Sequence, residues 1–279
     1  DYAVIHGGDG DDFIGGGRVG SVLYGDAGKD VFQGGDGDTI LYVELGDGGA
    51  SGGYGDDVFY LADVRAGESV FLTNVRGDAG ADTFIIQQAL SAPLVVQGGE
   101  GVDVLDLRLA PGAVTVNLSS THQQDTGFGR FTLQSIESVL GGDRGAILTG
   151  DSVANVLVGG AGVDTLTGGG GNDTLTGGGA NDTLDGGEGL DIAVYAGASS
   201  DYSWSRLADG SWTIKDVRAV SADGQDVLKS VEILRFLDKT VSLTQAASQA
   251  ILRGGGDVKA ADLEGRIAAG TLSLDGAIK

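Results

Sequence analysis

The chain has 279 residues, with 40 acidic against 17 basic side chains, a formal net charge of −23, 53 glycines, two prolines and no cysteine. A charge of this sign and size argues against nucleic acid or an anionic lipid surface as partner and points to cations. Disulfides are excluded, and no apolar run of about 18 residues is present to span a bilayer.

The opening Asp1-Tyr2-Ala3 stands within a repeat-like phase rather than in a charged and apolar leader, so the sequence reads as a piece of a longer chain. From Gly7 to Tyr60 the chain divides into nonads: GGDGDDFIG, GGRVGSVLY, GDAGKDVFQ, GGDGDTILY, the degenerate VELGDGGAS, and GGYGDDVFY. The pattern is G-G-x-G-x-D-x-U-x, with U a large apolar residue, and a fixed period of this kind is the signature of a solenoid. The glycine-rich six residues suit a tight turn. The x-U-x that follows is a short strand with only U facing inward. Two nonads make one coil, and residues 1–60 form a first roll with Ile14, Leu23, Phe32, Leu41 and Phe59 inside.

On the outside of that roll, Tyr24, Tyr42 and Tyr60 recur at the coil period beside Val22, Ile40 and Val58. An apolar outer stripe predicts packing. Docking against the strands of 61–140 is the favoured partner, with a separate protein domain or a glycan as the alternative.

Residues 61–140 contain longer alternating pieces such as VFLTNV, PLVVQG and AVTVNL, with isolated nonads at Gly77 and Gly98. They read as a β-rich linking solenoid or sandwich, poor in ions. Residues 141–194 form a second roll of unbroken nonads from Gly141 to Val194, with Leu148, Leu157, Leu166, Leu175, Leu184 and Ala193 inward. Residues 195–243 carry Tyr202, Trp204, Trp212, Ile214, Ile233, Leu234 and Phe236 around Asp-Gly turns, a small β cap for the open end. Residues 244–279 predict two short helices with Thr244 and Asp257 as N-caps, either an appendage or a secretion signal. The class is therefore all-β, a solenoid in two repeat arrays with a linking region, a cap and a short helical tail.

One buried side chain per half coil gives a thin seam. At roughly 1.5–3 kcal/mol per buried side chain, against about 1–2 kcal/mol of backbone entropy per residue, the seam alone does not hold nine-residue units together. The recurring aspartate suggests what does. Coils stack at about 4.8 Å, and calcium sits about 2.3–2.6 Å from its oxygens, so an ion fits midway between carboxylates one coil apart. The expected pairs are Asp12 with Asp30, Asp164 with Asp182, and Asp173 with Asp191, with Asn155 and Asp173 a weaker, half-neutral pair. Asp57, Asp82 and Asp103 hold the same place in their nonads. Carbonyls of the second and fourth turn residues would complete an all-oxygen shell: Gly8, Gly10, Gly28, Gly53, Gly55, Gly160, Gly162, Gly169, Gly171, Gly178, Ala180, Gly187 and Gly189. Ser21, Thr39 and Ala146 stand in the aspartate place and predict weak or absent binding.

Signals for other chemistry are thin. Gly49-Ala50-Ser51-Gly52-Gly53 fits the hydrolase pattern G-x-S-x-G, but chance matches are expected in a chain so rich in glycine. Gly15 to Gly20 fits G-x-G-x-x-G without a long strand before or a helix after. His6 and His122 lie in no H-E-x-x-H run.

The nonads, five of them well kept from Gly150 to Val194, resemble the RTX family of hemolysin-type calcium-binding repeat proteins of Gram-negative bacteria. The stretch from Asp201 to Leu243 also resembles the segment that often follows such repeats. The resemblance implies a right-handed parallel β-roll with calcium in its turns. It also implies export by type I secretion machinery through an uncleaved C-terminal signal, and an extracellular or cell-surface location. The chain then reads as a calcium-dependent structural module without chemistry of its own. An adhesin or surface-layer segment, and the tail of a secreted enzyme whose active site lies upstream, remain as alternatives.

Overall fold

The computed structural model describes residues 2–63, 73–218 and 223–243. Each nonad lays down one short strand, and the strand two nonads later pairs with it in parallel. Leu157 thus faces Leu175, and Leu166 faces Leu184. Repetition builds a twelve-stranded sheet running from Ala3–Asp9 at one edge to Thr240–Ser242 at the other. Two seven-stranded sheets line the opposite wall, one from Phe13–Gly15 to Gln124–Asp125, the other from Val114–Asn117 to Tyr202–Arg206. The strands are short because only the x-U-x triplet and its flanks escape the glycine turns.

Burial follows the two-residue alternation of the strands. Leu23, Leu41, Phe59, Leu148, Leu157, Leu166, Leu175, Leu184 and Ala193 are fully enclosed, with Ile14 and Phe32 almost so. Phe59 stacks on Phe84 with ring centroids 4.8 Å apart, so the seam continues beyond the first repeats.

That continuity changes the expected organisation. Tyr60 pairs with Ile85 and Leu140 with Val158, so the wide sheet crosses positions 60/61 and 140/141 without a break. Residues 73–106 and 130–140 are further coils of the same solenoid, not a sandwich between two rolls, and between them Val114–Asn117 begins another sheet while Gln124–Asp125 pairs antiparallel. The spacing of these coils is longer, 25 residues from Asp57 to Asp82 and 21 from Asp82 to Asp103. The inward phase nevertheless survives, as Phe84, Leu105 and Val139 are fully buried.

The tyrosine stripe also differs from expectation. Tyr24 and Tyr42 stack at 4.5 Å and Tyr42 and Tyr60 at 4.8 Å, with ring planes 9° and 10° apart. His6 extends the stack below Tyr24 at 4.6 Å and meets Asp26 Oδ2 at 2.9 Å. The strands of 73–106 and 130–140 lie above this stripe as coils rather than across it, so among the described residues the rings pack on one another.

After Val194, Gln225–Lys229 and Ile233–Arg235 still pair in parallel with the coils, and antiparallel strands are added outside them. Tyr202–Arg206, Trp212–Asp216 and Gln225–Lys229 form a meander at the end of one sheet. Ile233–Arg235 and Thr240–Ser242 pair at the end of another. Tyr195, Tyr202, Ile214, Leu228, Leu234 and Phe236 are buried there and close the seam. Arg218 clamps the Asp216 carboxylate through two nitrogens, at 2.9 Å and 2.7 Å, and holds its pKa well below the usual carboxylate range. The helices expected over 244–279 lie outside the described residues.

Candidate metal centre

Each glycine turn ends on its sixth residue, whose side chain folds back under the turn. One carboxylate oxygen of that residue ties down the coil before it. The N–H of Asp12 donates to Asp30 Oδ1 at 2.9 Å, and that of Asp57 to Asp82 Oδ1 at 2.8 Å. Asp82 donates to Asp103, Asp164 to Asp182 and Asp173 to Asp191, each at 2.8 Å. Aspartates one coil apart therefore share an N–H to carboxylate bond. The expected picture of an ion midway between two facing carboxylates does not include this bond, in which Oδ1 of one aspartate is held by the N–H of its neighbour.

The second oxygen is bare. Oδ2 of Asp12, Asp57, Asp82, Asp103, Asp164, Asp173, Asp182 and Asp191 is buried without a hydrogen-bond partner. A buried carboxylate oxygen in that state is costly unless a proton or a cation compensates it. It is also accompanied by a main-chain oxygen. A Cβ built on Gly168 would collide with both Asp173 Oδ2 and the Gly186 carbonyl oxygen. The same holds at Gly159 for Asp164 and Gly177, and at Gly77 for Asp82 and Gly98. In these three turns a carboxylate oxygen and a carbonyl from the next coil thus converge over the first glycine, and the absence of a Cβ makes the space.

Among the described residues no three His, Asp or Glu side chains converge on one point. The oxygen set is one carboxylate with main-chain carbonyls, a hard ligand set that suits calcium. These turns fit the ion, and the partnerless Oδ2 is the carboxylate atom that would hold it.

Burial acts on the same carboxyls. It pushes Asp57, Asp82 and Asp164 up to about 7 against the pull of the N–H each accepts. Asp103, Asp173 and Asp182 rise to about 6 for the same reason, and Asp30 and Asp191 also rise.

The expected carbonyl donors are in turn geometry. Gly8, Gly10, Gly28, Gly53, Gly55, Gly160, Gly169, Gly171, Gly178, Gly187 and Gly189 all have positive φ, and so does Ala180 at 71°. Gly162 does not share it. At Gly178 a Cβ would strike the Gly160 carbonyl of the coil below, so stacking as well as φ requires glycine there.

Several expected residues depart from the pattern. Asn155 Oδ1 accepts the Asp151 N–H at 2.8 Å and its Nδ2 donates to the Glu137 carbonyl at 3.3 Å. Its amide oxygen thus already accepts one backbone donor and carries no charge, in keeping with a weaker place than its aspartate neighbours. Thr39 and Ala146 give their N–H groups to Asp57 and Asp164 at 2.6 Å but bring no carboxylate. Ser51 hydrogen-bonds Asp78 and Gln33 within the stack.

The sequence reading missed four rungs. Asp47 accepts the Asp30 N–H at 3.2 Å and the Glu44 N–H at 2.8 Å. Asp226 accepts from Asp182 at 2.9 Å and from the Tyr195 hydroxyl at 2.9 Å. Glu137 accepts from Asp103 and Glu232 from Asp191, both at 2.9 Å. Also unforeseen is a second ladder at the fifth turn position, where Asp11 accepts the Lys29 N–H and Asn172 the Leu190 N–H, each at 2.9 Å. A recurring Asp or Asn just before the sixth-place residue was its signal.

A sequence model of the RTX calcium-binding nonapeptide repeat matches residues 4–19, 21–49 and 158–193 in four copies. No curated protein matches the chain. No helix among the described residues is long and apolar enough to cross a membrane. With matched repeats stacked as parallel coils and a bare carboxylate oxygen in turn after turn, the chain carries RTX-type calcium-binding repeats that form a structural module.

Proposed function

We propose that this chain folds when calcium fills its turns, and that it serves as the calcium-set structural part of a secreted protein. The observation that carries the reading is the row of buried, partnerless Oδ2 atoms from Asp12 to Asp191. Bound calcium supplies the missing positive charge there. Asp57, Asp82, Asp164 and Asp173 hold it with first-glycine carbonyls of the next coil, while the Oδ1 bonds keep each carboxylate aimed inward.

Sites of the extracellular class bind at about 10⁻⁴–10⁻³ M, so they are empty in a cytosol and filled outside. At ten times Kd one independent site contributes about 1.4 kcal/mol. A handful of sites rivals the whole stability of a domain, about 5–15 kcal/mol. An unfolded chain suits passage through type I secretion machinery, and folding on arrival follows from ligand linkage. The module carries out no catalytic step in this reading. The tyrosine faces are spent on each other in the His6–Tyr60 stack, which favours a structural role for that stripe over a glycan platform.

Far-ultraviolet circular dichroism during a calcium titration, reversed by EDTA, tests the reading. A coil-like spectrum in chelator that becomes β-rich with calcium is expected. A fully ordered chain in strict chelator overturns it.

A further inference from the structure

Two short segments, Gln134–Ser138 and Lys229–Ile233, repeat one device. In the sheets Gln97 faces Gln134 and Val104 faces Ser138; likewise Asp185 faces Lys229 and Ile192 faces Ile233. Between these fixed points one coil has the six-residue turns Gly98–Asp103 and Gly186–Asp191. The next has only three residues, Ser135-Ile136-Glu137 and Ser230-Val231-Glu232.

The details agree closely. Both serines take positive φ, 49° and 46°. A Cβ on Gly98 would collide with the Ser135 carbonyl oxygen and Asp103 Oδ2, and one on Gly186 with the Ser230 carbonyl oxygen and Asp191 Oδ2. These are the pairs of oxygens found in the regular turns, with serine in place of the first glycine. Glutamate, one methylene longer than aspartate, reaches the same N–H from a shorter turn: Glu137 Oε2 to Asp103 and Glu232 Oε2 to Asp191, both 2.9 Å. Asp103 and Asp191 are 0% exposed, and their Oδ2 atoms have no partner. Ile136 and Val231 are buried where a further turn would have opened its interior.

We propose that these short turns are half-sites that end a column of cations, the last ion lying between Asp103 and the Ser135 carbonyl in one column and between Asp191 and the Ser230 carbonyl in the other. Glu137 and Glu232 are positioning residues that hold the aspartate backbone from above. The buried Ile136 and Val231 stop the column, and beyond Glu137 the next rung is the neutral Asn155, whose Oδ1 accepts the Asp151 N–H and whose Nδ2 donates to the Glu137 carbonyl. The inference rests on the calcium reading of the regular turns, and it adds two sites whose outer halves contain no glycine repeat.

Calcium bound per chain, measured by isothermal titration calorimetry and equilibrium dialysis on the full chain, decides it. Glu137→Ala with Glu232→Ala lowers the count by about two ions, one per half-site. Glu137→Gln with Glu232→Gln retains them, because the amide oxygen still accepts the aspartate N–H. Asp103→Asn with Asp191→Asn, which keeps the Oδ1 acceptor and removes the charge, loses the same ions. Calcium bound by the wild type but unchanged in the alanine or asparagine pair overturns this inference alone, and an equal loss in the glutamine pair overturns the positioning role. A wild type that binds no calcium overturns the reading of the repeats as well.

Discussion

The N–H of Asp164 donates to Asp182 Oδ1 across one coil at 2.8 Å, while Asp182 Oδ2 is buried and bare. One carboxylate thus does two separable things, and substitutions separate them. Asp182→Asn keeps an acceptor for Asp164 and removes the charge. It leaves stability in chelator near the wild type and lowers the calcium-induced gain by about 1.4 kcal/mol at ten times Kd. Asp182→Ala also strands the buried N–H, for a further cost of about 1–3 kcal/mol. Thermal melts with and without calcium check both.

Gly168→Ala places a methyl where Asp173 Oδ2 and the Gly186 carbonyl already sit. The carboxylate must move, so this turn loses its ion although no ligand has been changed. Calorimetry should give one site fewer. An unchanged count would show that the oxygens do not converge there.

The seam is tested at Leu166, which is fully buried. Leu166→Ala costs about 2–5 kcal/mol. Leu190, in an exposed turn position, changes stability by less than about 0.5 kcal/mol on substitution by Ser. Denaturant midpoints in saturating calcium measure the contrast.

Acidity and calcium should oppose each other. Burial raises the carboxyls of Asp57, Asp82 and Asp164 to about 7 in the metal-free fold, well above their ordinary value. Protonation therefore stabilises that fold most fully below about pH 4, and the contribution is lost as pH rises through 7. In metal-depleted buffer the residual structure is greater at pH 5 than at pH 8. Calcium must displace these protons, so its apparent affinity rises over the same interval and binding releases protons. Calorimetry in two buffers of different ionisation enthalpy reads the release.

Tyr42 stacks between Tyr24 and Tyr60. Tyr42→Ser removes two ring contacts, each worth about 0.5–1.5 kcal/mol beyond area burial. Stability in calcium falls accordingly while calcium stoichiometry is unchanged. A melt identical to the wild type would dismiss the stack as a structural element.

The seam from Ile14 to Ala193 was legible because an apolar residue, large in all but a few nonads, returns at a fixed place, and a period-two strand leaves it one direction to face. The sixth-place aspartates were legible for the same reason. Asp47 was not, since it follows Asp30 by 17 residues in a nonad that has lost its glycine pattern. Asp226 stands 44 residues beyond Asp182, with a meander between. Glu137 and Glu232 escaped because a longer side chain reaches the shared position from a shorter turn, a compensation that fixed spacing cannot reveal. The continuity of the sheet through Thr83–Ile86 and Val104–Asp106 was hidden by coil length, which varies in the turns and leaves strand phase intact.

The side chains at the fifth and sixth turn positions point opposite ways along the stack. Asp11 reaches forward to Lys29, while Asp30, one coil later, reaches back to Asp12. Adjacent residues thus lock each coil from both sides, and threading a coil one residue out of step would break both locks and turn its apolar residue outward. The filament therefore has polarity as well as register: any strand added beside Ala3–Asp9 can use those locks only if it arrives parallel and in phase.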